Sequence, residues 1–380
     1  MSFPILIKNA RCVSSTGIIK QDVLLRDGKI AQLGEVNASA AEQLIDGTHL
    51  YLLPGALDPQ VHFRDPGLTH KEDLRTGSMA AASGGVTSFF DMPNTKPSTI
   101  TIEGMAERKR NAAEKCVVNY NFFIGATNTN LDALNDVENV PGIKIFMGSS
   151  TGDLLVSDTK DLDNIFGNGS RLIAVHAEDD DIINAAQEIY KNSTDFNHHQ
   201  FVRPADAALK ATTLAVELSI KYQRRLHILH LTTLDEVRYL EIQKSKAPIS
   251  AEVCPQHFLL SAPHVYQKLG AYAQMNPPIR DLQHGEALWD GLVNGVIDCI
   301  ATDHAPHTHE EKAKPFGQAP SGMPGVETSL PMLLDRTNRG LCKIEDVVKW
   351  MCEMPVELYK VKNKGYIKEG YDADLVLVDM

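Results

Sequence analysis

The stretch DPQVHFRDPG, residues 58–67, decides how the rest of the sequence is interpreted. It follows a short apolar run, so that Gln60 and His62 lie at the end of a predicted strand, Ala56–His62. Polar side chains at the carboxyl ends of strands form the active sites of α/β barrels. The stretch therefore raises two questions: whether further strands end in polar residues, and what Gln60 and His62 would do beside them.

Further apolar segments follow at regular intervals, and helix-like segments separate them. The predicted strands are Val86–Asp91, Val117–Ile124, Gly142–Met147, Arg171–Ala177, Arg225–Leu231, Ile249–Val253 and Val296–Thr302. The segments between them include GMAERKRNAAEK, PADAALKATTLAVELSIKY and LDEVRYLEIQK. With the first strand this makes eight strand-then-helix units, a pattern that predicts an α/β fold with a (β/α)8 TIM barrel.

Short strands precede and follow this barrel in the sequence. The segments ILIKNARCV, KQDVLLRDGKIAQLGE and EQLIDGTHLYLLPG are predicted strands, with a hairpin turn at Asp27-Gly28. The tail KGYIKEGYDADLVLVDM returns to strands. We predict a small composite β domain from both termini, with residues 1–54 as its first part, 55–345 as the barrel, and 346–380 as a helix and strands that return to it.

Composition excludes several functional classes. The chain has 380 residues, a formal net charge of −12 and no Lys/Arg-rich run, which argues against binding to nucleic acid or an anionic membrane. The six cysteines form no Cys-x-x-Cys motif, and no segment has the length of a membrane span. The N-terminal apolar run is too short for a signal peptide. We therefore expect a cytoplasmic protein.

The polar residues of interest fall at one end of the predicted strands. They are Gln60, His62, Asn94, Lys144, His176, His230 and Asp303. The carboxyl ends of barrel strands converge on one mouth, so that these distant residues would meet in one cleft. Histidine, lysine and aspartate placed in this way are a plausible site for a cation such as Zn²⁺.

Single members of this set have simpler explanations, because a lone histidine at a strand end is more often structural. His227 and His230 are three residues apart, which predicts opposite faces of one strand, and we select His230 because it lies nearer the carboxyl end. His198 and His199 lie in a polar segment and are predicted to be solvated. Lys144 lies inside an apolar strand, where a lysine is costly unless it is paired or modified.

Five motifs carry a resemblance to a known family. They are VHFRDPG at 61–67, GGVTSFFDMPNT at 84–95, NPPIR at 276–280, IATDHAPHT at 300–308 and GMPGVETSLP at 322–331. Over essentially its whole length the chain resembles the dihydroorotases of the amidohydrolase superfamily. Related hydantoinases and allantoinases share the histidine and aspartate ligands but usually differ at HFRDPG and MPNT.

The resemblance implies an activity and a role for each site residue. The implied reaction is the reversible cyclisation of N-carbamoyl-L-aspartate to dihydroorotate in pyrimidine biosynthesis, by attack of a metal hydroxide on a cyclic amide. The implied metal ligands are His62, Lys144, His176, His230 and Asp303, with Gln60 in place of the usual first histidine. The implied substrate-binding residues are Arg64, Asn94, Asn276 and His307. Lys144 would be N6-carboxylated to bridge two Zn²⁺ ions, with one or two ions bound per chain, and Asp303 would carry the proton.

Two departures from the family pattern leave alternatives open. Gln60 is a neutral, weaker zinc ligand than histidine, so that the second metal site would be weak. The chain stops at Met380, where family members usually continue, so that either the sequence is truncated or the β domain is small. The alternatives to dihydroorotase are another cyclic amidase, such as a hydantoinase or allantoinase, and a non-catalytic subunit that binds aspartate transcarbamoylase. A homodimer is also expected.

Overall fold

The computed structural model describes residues 3–148 and 154–380. The strands, numbered along the chain, are β1 (Ile5–Ser14), β2 (Gly17–Arg26), β3 (Lys29–Gly34), β4 (Gln43–Asp46), β5 (Tyr51–Pro54), β6 (Ala56–Val61), β7 (Val86–Asp91), β8 (Asn119–Phe122), β9 (Ile124–Gly125), β10 (Ile143–Phe146), β11 (Ile173–His176), β12 (Leu226–Ile228), β13 (Ile249–Val253), β14 (Cys299–Ile300) and β15 (Leu375–Val378).

Helices follow the strands from β6 onward. They are α1 (Leu74–Ser83), α2 (Ile102–Lys115), α3 (Leu131–Asp136), α4 (Thr159–Gly167), α5 (Asp180–Tyr190), α6 (His199–Val202), α7 (Ala205–Tyr222), α8 (Leu234–Gln243), α9 (Pro255–Leu259), α10 (His264–Leu269), α11 (Leu282–Val293), α12 (His309–Lys312), α13 (Ser329–Asn338), α14 (Ile344–Val348) and α15 (Met354–Tyr359). In the described part of the chain, no helix is both long enough and apolar enough to span a bilayer.

The β domain is built from both ends of the chain, as predicted. Its sheet has the order β15-β5-β1-β2-β3, and β4 also pairs with β1. The turn between β2 and β3 has φ of 51° at Asp27 and 72° at Gly28, the pair of positive angles that a type I′ hairpin requires. The last strand, β15, runs antiparallel to β5, with Leu375 opposite Pro54. Its apolar side chains pack against a core that includes Leu52.

The barrel strands form one closed ring. Strands β9 to β14 are a parallel sheet, and β6, β7 and β8 are its continuation. The two parts meet where the backbone N–H of Phe123 donates to the carbonyl of Asp91 at 3.1 Å. At the other seam, the N–H of His62 donates to the carbonyl of His304 at 2.7 Å. With β8 and β9 counted as one strand, the described residues form the eight strands of a (β/α)8 barrel.

Strand ends differ from the predictions more than strand positions do. Val86–Asp91 and Ile249–Val253 have the predicted bounds, whereas the predicted strand Val117–Ile124 divides into β8 and β9. The predicted strand Val296–Thr302 keeps a ladder only at Cys299–Ile300. The last residues of such segments are no longer paired with a neighbouring strand and lie at the mouth of the barrel. The pattern of apolar residues does not show where the pairing ends.

The described residues group into two compact units. One comprises Met1–Asp58, Ala80–Ser88 and Glu327–Met380, and it contains the strands of the β domain. The other comprises Pro59–Met79 and Phe89–Val326. All of the predicted site residues belong to this second unit. The division of the sequence at 54/55 and 345/346 stays a prediction.

Candidate active site

A cavity of about 350 Å³ lies at the carboxyl ends of the barrel strands. All ten residues predicted for metal or substrate line it: Gln60, His62, Arg64, Asn94, Lys144, His176, His230, Asn276, Asp303 and His307. They come from different strand ends, so that closure of the barrel is what brings them together.

Two histidines form one side of the cavity. Nδ1 of His176 lies 3.1 Å from Nε2 of His230. The other ring nitrogen of His176, Nε2, donates to Glu178 Oε2 at 2.8 Å, which leaves the Nδ1 lone pair facing His230. Burial holds the pKa of both imidazoles below the ordinary value, so that both keep a lone pair for a cation. A histidine held by a carboxylate on its far nitrogen is the usual arrangement of a metal ligand.

Asp303 is the centre of the opposite side. Its Oδ1 accepts a hydrogen bond from Gln60 Nε2 at 3.0 Å and lies 3.0 Å from His62 Nε2. His62 Nδ1 lies 2.7 Å from Oδ1 of Asn94. Gln60 therefore presents its amide nitrogen, which cannot ligate a metal, to the carboxylate. In this arrangement it is a hydrogen-bonding neighbour of Asp303.

Lys144 lies between these two sides on β10. Its side chain is 0% exposed, and Nζ has no hydrogen-bond partner among the residues that the structure describes. Nζ lies 4.5 Å from the centre of the Phe146 ring. Burial lowers the pKa of Lys144 to about 7, against the opposing charges of Asp303 and Glu252. A large fraction of this amine is therefore neutral, and hence nucleophilic, near neutral pH.

Arg64 and His307 form a pair of donors at the cavity wall. Nε of Arg64 donates to the Pro306 carbonyl at 3.2 Å, and its Nη2 lies 3.3 Å from Nε2 of His307. The same His307 nitrogen donates to the Ser321 carbonyl at 2.9 Å. Burial, followed by the charge of Arg64, lowers the pKa of His307 to about 3. His307 is therefore a neutral donor beside a buried guanidinium.

Asn276 is held by a histidine that was expected to be solvated. His199 is buried, and its Nε2 lies 2.8 Å from the Met275 carbonyl and 3.0 Å from Asn276 Oδ1. Burial lowers its pKa to about 4. The prediction for His199 was wrong because the polar residues around it in the sequence do not show that its side chain packs against these two acceptors. His198 instead contacts Ser193 Oγ with Nδ1, at 2.6 Å.

A second polar cluster lies in the barrel interior. His227, Glu252 and Cys299 are fully buried, with potential ligand atoms within 4.8 Å of one another. In the ladder of parallel strands, Ala174 lies opposite Lys144 on one side and opposite His227 on the other, so that the three residues form one layer. Its ring nitrogens contact Ser250 Oγ at 2.7 Å and Glu252 Oε2 at 2.9 Å. Since both nitrogens are engaged, we interpret this cluster as a hydrogen-bonded layer of the core.

The strand argument that separated His227 from His230 does not apply, although the residue selected from it, His230, does line the cavity. Alternation of side chains applies only within a strand, and β12 ends at Ile228. His230 lies beyond this end with φ of 37°, and it lines the cavity. Arg64 and Asp303 also have positive φ, of 60° and 49°. Such backbone costs about 1–3 kcal/mol per residue, and it is commonly found at functional sites.

Sequence reasoning missed several residues that surround the predicted set. Glu178, two residues after His176, is fully buried and pairs with Arg203. Its signal was the carboxylate in VHAED, close to a predicted ligand. Lys71 and Lys96 also line the cavity. No spacing rule indicates them, because each is a lysine in a loop.

The arrangement agrees with a family model. Residues 51–160 and 168–380 match the model described as the amidohydrolase family. The chain belongs to the amidohydrolase family. This membership accounts for a barrel whose strand ends carry histidines, a lysine and an aspartate in one cavity.

Individual relatives of this amidohydrolase fall into two groups. The chain is 34% identical to a dihydroorotase of Methanosarcina acetivorans over 98% of this chain and 83% of that protein. It is 36% identical to a dihydroorotase of Halobacterium salinarum over 94% of this chain and 86% of that protein. Among solved structures, the L-hydantoinase (dihydropyrimidinase) of Arthrobacter aurescens is similar with a TM-score of 0.93 and 30% identity, over 99% of this chain and 86% of that chain.

Proposed function

We propose that this amidohydrolase is a dihydroorotase, which interconverts N-carbamoyl-L-aspartate and dihydroorotate in pyrimidine biosynthesis. The observation that carries the proposal is the pair Arg64 and His307, 3.3 Å apart at the wall of the cavity, where Arg64 is buried and the His307 side chain is 6% exposed. Both residues line the cavity, and a positive guanidinium beside a neutral imidazole suits a carboxylate, which both of these compounds carry. A guanidinium can also bind a carboxylate through two parallel hydrogen bonds.

The residues around the cavity fit a divalent cation such as Zn²⁺. His62, His176, His230 and Asp303 offer the nitrogen and oxygen donors that zinc prefers. Lys144, buried and without a hydrogen-bond partner in the described part of the chain, fits as a carboxylated ligand. Its neutral amine would attack the carbon of CO2 and lose a proton, leaving an anionic carbamate. We expect one or two cations per chain.

The chain's own groups account for the remaining chemistry. A bound cation would acidify a water molecule and polarise the ring carbonyl. Arg64 and His307 would hold the substrate carboxylate, and Asn94 and Asn276 would fix the ring from the other walls. Asp303 would take the proton of the attacking water and deliver it to the departing ring nitrogen. In the biosynthetic direction the same groups would act in reverse order.

A hydantoinase-type cyclic amidase is the second candidate, and the similarity to L-hydantoinase favours it. The chain is 32% identical to an L-hydantoinase of Paenarthrobacter aurescens over 100% of this chain and 86% of that protein. Hydantoin carries no carboxylate, however, and would leave Arg64 without an anionic partner. The buried guanidinium of Arg64 therefore favours dihydroorotase. Cytoplasmic location, a homodimer and association with another pyrimidine enzyme stay predictions.

Ring closure tests the proposal. Purified protein loaded with Zn²⁺ in bicarbonate buffer is supplied with N-carbamoyl-L-aspartate, and dihydroorotate is measured by chromatography. We expect dihydroorotate to form, and to form more slowly after treatment with a chelator. Hydrolysis of hydantoin or allantoin without formation of dihydroorotate would support the second candidate. No metal uptake and no turnover of any ring would indicate a non-catalytic subunit.

A further inference from the structure

Lys71 lies against His307 on the side away from Arg64. Its Nζ is 3.1 Å from Nδ1 of His307 and 3.2 Å from Oε1 of Glu311. The side chain is 12% exposed, so that water competes little for these contacts. Lys71 belongs to neither the implied metal ligands nor the implied substrate-binding residues.

The two shorter contacts of His307 favour one protonation state over the other, which only the longer contacts with Arg64 Nη2, at 3.3 Å, and Glu311 Oε2 would favour. The Ser321 carbonyl, 2.9 Å from Nε2, is an acceptor and requires a proton on that nitrogen. Because the ring is neutral, with a pKa of about 3, Nδ1 then has a lone pair. The lysine ammonium is a donor only, so that it donates to Nδ1. Glu311 Oε2, 3.4 Å from Nδ1, is the more distant neighbour and cannot donate as a carboxylate.

Both sides of this contact are anchored by neighbouring backbone. Glu311 is held by the capping box of α12, where the N–H of Thr308 donates to Oε2 at 3.1 Å. On the other side, a Cβ at Gly322 would lie 2.9 Å from His307 Nε2 and 2.3 Å from the Ala305 carbonyl. Only glycine lets the Ser321 segment approach the imidazole this closely. The geometry around His307 is therefore built into the fold.

We propose that Lys71 is a positioning residue that fixes His307 as an Nε2–H donor beside Arg64, and thereby makes the cavity selective for a cyclic amide that carries a carboxylate. Without Lys71, the proton could move to Nδ1 and donate to Glu311. Nε2 would then present a lone pair to the substrate carboxylate and repel it. The substrate part of this inference rests on the proposed function, whereas the protonation state of His307 does not.

Nuclear magnetic resonance of ¹⁵N-histidine-labelled protein tests the protonation state without substrate. The His307 signals are identified by their loss in His307→Gln. We expect an Nε2–H pattern in the parent, a shift toward Nδ1–H in Lys71→Met, and recovery in Lys71→Arg. Lys96→Met is the matched control, since Lys96 lines the same cavity and no contact of its side chain with His307 is described. An unchanged pattern in Lys71→Met would overturn the proposal, as would an equal shift in Lys96→Met.

Steady-state kinetics test the selectivity. We expect Lys71→Met to raise the KM for dihydroorotate about tenfold, the size of a lost hydrogen bond to a charged group, with a smaller change in kcat. Turnover of dihydrouracil, which lacks the carboxylate, should change less than twofold. Lys71→Gln replaces Lys71→Met if the latter does not fold, as judged by circular dichroism. Equal losses on both substrates would overturn the selectivity. A parent without dihydroorotate turnover would instead refute the proposed function and leave the resonance result standing.

Discussion

Gln60 donates a hydrogen bond from its amide nitrogen to Oδ1 of Asp303 at 3.0 Å, next to His62, which lies 3.0 Å from the same oxygen. An amide thus stands where the resemblance to dihydroorotases implies an imidazole. The side of the cavity formed by His62 and Asp303 therefore has one strong metal ligand fewer than it would have with a histidine at this position. The opposite side keeps His176 and His230 in contact with each other.

The first prediction is an asymmetric metal site. We expect purified protein to hold between one and two Zn²⁺ per chain, and the cation next to His62 and Asp303 to be lost first to a chelator. Gln60→His should strengthen that site, because imidazole is a better zinc donor than an amide. Metal titration followed by elemental analysis measures both values. Gln60→Asn, which keeps the amide, is the control, and two equally tight cations in the parent would contradict the asymmetry.

The second prediction concerns Lys144. Lys144→Ala should lose nearly all bound metal and turnover, because it removes the atom that would carry the carbamate. Short carboxylic acids, which can supply the missing oxygens, should restore part of both. Mass spectrometry of the intact parent should show the added mass of CO2. Lys96→Ala, which removes an exposed lysine of the same cavity, should keep its metal. Full metal content in Lys144→Ala would rule out the carbamate.

The second prediction extends to the pH dependence of carboxylation, which follows from the same residue. Because the pKa of Lys144 is about 7, the amine is protonated and unreactive well below that pH. After metal and CO2 have been stripped from the protein, we expect reactivation by bicarbonate and Zn²⁺ to be slow at acid pH and to become faster as the pH rises toward about 7. Recovery of activity over time at each pH measures this. A rate of recovery that does not depend on pH would be inconsistent with a neutral Lys144 as the reacting group.

The third prediction concerns Arg64. Arg64→Lys keeps the charge but loses the paired N–H groups. The kcat/KM for dihydroorotate should therefore fall by a factor that corresponds to about 2–4 kcal/mol of lost transition-state stabilisation. Metal content should not change, because Arg64 contacts Pro306 and His307 rather than the ligands. Arg75→Lys, an exposed arginine on α1, is the control. Loss of metal with an unaltered KM would make Arg64 a structural residue instead.

The fourth prediction separates Asp303 from Arg64. Asp303→Asn should lower kcat by about 10²-fold or more, because an amide cannot carry the proton. The effect on KM should be smaller than that of Arg64→Lys. Metal content is measured in parallel, since Asp303 is also an expected ligand. A variant that keeps both its metal and its kcat would show that another group carries the proton.

Much of the architecture could be predicted from the sequence because it rests on local signals. Apolar runs at regular intervals located the barrel strands, and Asp27-Gly28 located a hairpin whose two positive φ angles the structure contains. The composite β domain followed from the return of strand patterning near the C-terminus. The ten expected residues meet in one cavity once the predicted strands close into a barrel in their sequence order.

The remaining features depend on contacts that a linear pattern does not contain. His199 was expected to be solvated, yet it is buried, and its Nε2 contacts the Met275 carbonyl and Asn276 Oδ1. His230 reaches the cavity by a positive φ beyond the end of β12, where alternation no longer applies. Lys71 contacts His307 from a position 236 residues away in the chain. Each of these features is set by tertiary packing.

The selectivity between two cyclic amides tests the central claim most directly. Metal-loaded protein is assayed with dihydroorotate and with dihydrouracil, which has the same ring without the carboxylate. We predict a kcat/KM for dihydroorotate higher by about 10²-fold or more, the range for an ion pair with a buried guanidinium, and a large loss of this preference in Arg64→Lys. An equal or higher kcat/KM for dihydrouracil would contradict the assignment as a dihydroorotase.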